Sequence, residues 1–168
     1  MKVFALVMLF AASAFAQSPS DASTAACGPE NVSFKVKLDE SPHALTPPDQ
    51  GKARVYFFHD AGTGSTIGYP TVKLAMDGAW VGANHGNSYF SLSVEPGEHH
   101  VCADLQTSIY DNRTEFAHFR AEAGKVYYYR TRLVMSRAVE LLELDPIDSD
   151  QGRYLISYYP LSISHPRK

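Results

Sequence analysis

Between Pro70 and Leu105 the chain reads PTVKLAMDGAWVGANHGNSYFSLSVEPGEHHVCADL, with almost no residue that is neither strand-like nor turn-like. Val72, Leu74 and Met76 alternate with polar or small residues up to Asp77-Gly78, a strong two-residue turn signal. Trp80 and Val81 continue until the stretch Gly82 to Asn87 interrupts them. Phe90, Leu92 and Val94 then alternate as far as Pro96-Gly97, and Val101, Ala103 and Leu105 share one face of the returning run. Parallel strands need long crossovers, so runs joined this tightly predict an antiparallel meander.

The flanking sequence repeats the pattern. Val32 to Leu38 has the period of a half-buried strand, and Ser41 to Gly51 reads as a proline-rich loop. ARVYFFH at Ala53–His59 is apolar on both faces and predicts a central strand. Asp60 to Pro70 reads as a long hairpin connection and Tyr110 to Thr114 as a polar loop. Phe116–Ala121, Val126–Val134 and Val139–Leu144 complete the strands, with a tight turn at Glu122 to Lys125. Asp148-Ser149-Asp150-Gln151 has the chemistry of a helix N-terminus, and Pro160 ends that segment. Short strands at regular spacing predict an all-β, antiparallel β-sandwich of immunoglobulin- or transthyretin-like shape with a short C-terminal helix or turn. A small β-barrel is the alternative.

The N-terminus speaks to compartment. Lys2, the apolar run Val3 to Ala12 and Ala14-Phe15-Ala16 predict a signal peptide over 1–16, cleaved after Ala16. A flexible leader over 17–30, a β-sandwich domain over 31–160 and a loose tail over 161–168 follow. The expected location is secreted or periplasmic, with a lipoprotein anchored through Cys27 as the alternative. Losing Lys2 takes the formal charge from -3 to -4, and the basic residues are scattered, so no nucleic-acid partner is expected. No later segment is apolar enough to predict a transmembrane helix. The two cysteines, Cys27 and Cys102, predict one disulfide, which closes a long loop and contributes roughly 4 kcal/mol through the unfolded state.

The grammar of Val72 to Leu105, a strand to Asp77-Gly78, a short strand to Val81-Gly82, then an aromatic strand and Pro96-Gly97-Glu98-His99, resembles a secreted bacterial family. That family is the domain of unknown function number twenty-eight forty-six. The pattern is also similar to PEGA-type surface β-domains. Ala121-Glu122-Ala123-Gly124-Lys125-Val126-Tyr127-Tyr128 extends the likeness. The resemblance implies a β-domain of the envelope and carries no catalytic residue with it.

Three constellations bear on chemistry. His100, Cys102 and Asp104 fall on one side of a strand, with His99 and His118 near, and a free thiolate there suits zinc; a disulfide at Cys102 removes that option. A metal-dependent hydrolase centred on His99, His100 and Asp104 is a further alternative. No G-x-S-x-G elbow surrounds Ser65, and no catalytic residue, metal or cofactor is expected. The loop Gly82–Ser88 sets amides, an imidazole and glycines beside Trp80 and Tyr89. Trp80, Asn84, His85 and Asn87 are thus candidates for a carbohydrate or peptide ligand, although a tight turn explains the same residues. Tyr127-Tyr128-Tyr129 with Arg130 and Arg132 reads as strand packing on both faces. The expected function is a monomeric binding or envelope-structural module, partnered by an envelope protein or a glycan, and not an enzyme.

Overall fold

The computed structural model describes residues 26–29, 31–62, 70–106, 114–136 and 139–167, without side chains for 135, 136, 139 and 140. The expected signal peptide, most of the expected leader and the Tyr110–Arg113 loop lie outside these residues.

Among the described residues, ten strands form two sheets. The first runs β1 (Phe34–Asp39), β10 (Leu161–Pro166), β5 (Ser88–Val94), β2 (Ala53–Asp60), β8 (Val126–Ser136) and β9 (Val139–Pro146) in spatial order. The second runs β4 (Ala79–His85), β3 (Thr71–Met76), β6 (Gly97–Leu105) and β7 (Thr114–Ala121). Helix α1 (Ser149–Tyr158) lies on the outer face of the first sheet. The molecule is a sandwich of two sheets and not a closed barrel.

The inner faces meet around Val55, Phe57, Leu74, Phe90, Val101 and Tyr129, all buried. β2 is interior to its sheet and buried along nearly its whole length, as its two apolar faces require. Its outer face puts Tyr56 and Phe58 with Tyr89 and Tyr128 beneath Leu155 and Ile156 of α1. Tyr127 and Tyr129 point to the core between the sheets and Tyr128 points the other way.

The meander expectation fails in an informative way. β3 and β4 pair through Asp77-Gly78, whose φ values of 51° and 81° fit a tight hairpin turn, but β6 lies on the other flank of β3. β5 leaves the sheet entirely and pairs antiparallel with β2. Packing explains the departure. An added Cβ at Gly82 would sit 2.8 Å from Phe90 Cζ, so the bare backbone of β4 is what lets β5 fold across it face to face. Asp60–Pro70 is likewise no hairpin, since β2 and β3 belong to different sheets.

The first sheet is mixed rather than purely antiparallel. β2 and β8 pair in parallel from Arg54↔Val126 to Asp60↔Arg132, and the chain between them supplies all four strands of the second sheet as well as β5 of the first. The tail expected to be loose instead forms β10, fully paired with β1 from Phe34↔Pro166 to Asp39↔Leu161. The helix agrees with its cap. Asp148 accepts from the backbone N–H groups of Asp150 and Gln151, and α1 ends just before Pro160.

Candidate functional site

The Cys27–Cys102 disulfide forms, spanning 75 residues with its Cα atoms 5.2 Å apart. It fixes a strap over the outer face of the second sheet. The described end of the expected leader is therefore packed, with Ala26 buried against Ala75 and Cys102. Trp80 Nε1 donates to the Pro29 carbonyl at 2.7 Å, and Gly28 sits so close to the indole that a Cβ would meet it at 2.3 Å. Lys73 is only 5% exposed, yet its ammonium is satisfied by Asp104 at 3.0 Å, the Val32 carbonyl at 3.3 Å and the Trp80 ring at 4.3 Å.

These contacts take up two members of the expected zinc constellation. The Cys102 sulfur is bonded to Cys27, and Asp104 serves Lys73. His99 lies on the opposite side of β6, with Nδ1 2.6 Å from Asp77 Oδ2 and Nε2 2.7 Å from the Glu95 carbonyl. No group of three metal-ligating side chains exists among the described residues.

The second constellation is not a loop. Gly82, Ala83 and Asn84 are buried within β4, and only Gly86 and Asn87 separate β4 from β5. The interrupting glycine is a packing contact for Phe90, which the sequence signal for a turn could not distinguish. Asn84 is buried and donates to the Phe57 carbonyl at 2.9 Å. Asn87 accepts from the Ala61 backbone N–H at 2.8 Å, and Trp80 is held by the strap. His85 alone is exposed, 3.0 Å from the Thr71 hydroxyl. The structure thus brings Asn84, His85 and Asn87 to one corner but gives two of them backbone duties.

A different surface is concave. A cleft of about 490 Å³ opens between Glu40–His43 and Ile156–Pro160. At its rim Tyr158 is 71% exposed and stacks on Tyr154, itself 63% exposed, with centroids 6.0 Å apart and planes at 10°. Tyr159 closes the helix end, 5.9 Å from Tyr158. Burial, aided by Asp60, pushes the Tyr159 hydroxyl up to about 12, so it is a neutral donor at ordinary pH. On the opposite wall the Ser41 hydroxyl and backbone N–H hold the Asp39 carboxyl below its usual range, with His43 3.5 Å away.

Beyond that wall the β1–β2 connection is pinned to β2. The Tyr56 hydroxyl accepts from Thr46 N–H and donates to the Thr46 carbonyl, and Arg54 donates to the Pro47 carbonyl. The tyrosine pair was within reach of sequence reasoning, since Tyr154 and Tyr158 are four apart in a segment expected to be helical. The cleft was not, because its two walls lie more than a hundred residues apart and meet only when β10 joins β1.

Comparison with known proteins adds little about chemistry. The family model described as "Protein of unknown function (DUF2846)" matches residues 49–143. An uncharacterized protein of Haemophilus influenzae is 22% identical over 118 residues, which cover 70% of this chain and 66%, just under two thirds, of that relative's length. No solved structure matches. The family match spans β2 to most of β9 and leaves β1, α1, β10 and the tyrosine cleft outside it.

Proposed function

The chain belongs to the DUF2846 family, and from that premise we propose that it is a binding module of an oxidising, extracytoplasmic compartment. Its ligand is a saccharide held at the Tyr154–Tyr158 cleft. The compartment rests on the disulfide that joins both cysteines of the chain. No helix among the described residues is long and apolar enough to cross a membrane. With its sulfur committed to Cys102, Cys27 has no thiol left for a lipid thioether, which favours a secreted or periplasmic chain over one anchored there.

The exposed tyrosine pair carries the ligand assignment. Two large aromatic faces left in water at a cleft mouth are costly unless something covers them. A sugar ring offers an apolar C–H face to such a surface and hydroxyls to the Glu40, Ser41 and His43 side of the cleft. The pinned β1–β2 connection keeps the ordering cost of binding low.

Calorimetric titration of a glycan and peptidoglycan-fragment panel tests the reading. At least one saccharide is expected to bind, with Tyr158→Ala weakening it tenfold or more and His85→Ala leaving it unchanged. Loss in His85→Ala with retention in Tyr158→Ala would move the site to the β4–β5 corner. Binding to no member of the panel would overturn the saccharide assignment.

A further inference from the structure

His100 and His118 are directly opposed across the β6–β7 ladder, and both are exposed on the outer face of the second sheet. Their ring centroids are 6.5 Å apart at 36°. Neither imidazole makes a hydrogen bond to another described residue. The contrast with neighbouring His99, whose two ring nitrogens both have partners, is sharp. The rungs beside the pair do have internal duties: Arg120 donates to Glu98 at 2.9 Å, and Cys102, opposite Phe116, carries the disulfide.

Two histidines so placed gain little by structure alone. Charged, they repel across the rung; neutral and exposed, they bury nothing. Each neutral ring does keep one lone pair free, and the antiparallel ladder holds both Cα positions. Metal–nitrogen bonds of about 2.0–2.1 Å require two donor nitrogens roughly 3–4 Å apart. A ring nitrogen lies about 1 Å from its own ring centre, so facing edges at this centroid distance reach that span with small side-chain rotations.

We propose that His100 and His118 form a two-imidazole site for a divalent transition-metal ion on the outer face of the second sheet. Imidazole donors suit copper, nickel and zinc, and copper binds most tightly in this series. With no third ligand among the described residues, the remaining coordination positions belong to water or to a donor brought by a partner. The site is independent of the tyrosine cleft, which lies on the opposite side of the sandwich beside α1.

Titration of the intact, disulfide-bonded protein with Cu²⁺ and with Zn²⁺ near pH 7.5 tests it, read by calorimetry and, for copper, by electron paramagnetic resonance. One equivalent is expected to bind with two equatorial imidazole nitrogens. His100→Gln and His118→Gln should each weaken binding at least tenfold and reduce the coupled nitrogens to one, while His165→Ala changes neither. Both substitutions are at exposed strand positions, and thermal melts establish that each variant is folded. Unchanged affinity in both Gln variants, or no binding above that of the double variant, would overturn the site.

Discussion

His59 and His99 respond to pH in opposite directions, and burial against charge pairing decides each sign. His59 is fully buried beside Thr131, and desolvation lowers it to about 4. The unfolded chain therefore binds the extra proton first, so stability falls as pH drops from about 6.5 towards 4, by up to roughly 1.4 kcal/mol per unit. At His99 burial also opposes the charge, but the Glu95 carbonyl and the Asp77 carboxylate outweigh it and the value rises. Its contribution is complete below about pH 6.5 and disappears as pH climbs through the raised folded value. Urea midpoints are thus expected to peak near pH 6–7. Asp77→Asn should flatten the alkaline limb, costing about 1 kcal/mol at pH 6, and leave the acid limb intact. A variant whose alkaline limb matches the wild type would refute the assignment to His99.

α1 is held by its cap and by one glycine. At Gly152 an added Cβ would lie 2.4 Å from Tyr128 Cδ1, and that ring is wedged between Tyr56 at 5.6 Å and Phe58 at 6.5 Å. Helix propensity and packing therefore oppose each other. Gly→Ala gains about 1 kcal/mol of propensity, whereas overpacking costs about 1–3 kcal/mol, and a ring confined on both sides gives the upper end. Gly152→Ala is expected to lower stability by about 1–2 kcal/mol in chemical denaturation, with weaker binding at the cleft because α1 is displaced. A stabilised variant would mean that the helix rides further from the sheet.

The disulfide and Trp80 make the strap observable from outside. Reduction or Cys27→Ser releases the closure of a loop spanning 75 residues, worth about 4 kcal/mol in the chain-entropy model. Trp80 is the chain's single tryptophan and packs against Cys27 and Gly28, so its fluorescence reports on the strap directly. Reducing agent is expected to raise and red-shift that emission in mild urea while far-ultraviolet dichroism still shows a folded sandwich. Simultaneous loss of both signals would mean that the strap and the sheets unfold as one unit.

Local pattern carried a large part of this molecule. Alternation marked most of the strands, Asp77-Gly78 its hairpin, Asp148 its helix cap, and the cysteine count its one disulfide. Each of these depends on residues close in sequence or on an arithmetic that leaves one pairing. The sequence by itself could not say which sheet receives β5, because a two-residue connection serves a hairpin and a sheet corner equally. Gly82 reads as a loop breaker until Phe90 is seen lying on it. The strand of residues 161–166 is short, with only Leu161 and Ile163 to mark an alternation, and β1 offers it a full ladder. For the same reason the tyrosine cleft and the His100–His118 rung belong to the tertiary structure. Register and strand order, set by long-range burial, bring together side chains that no local period connects.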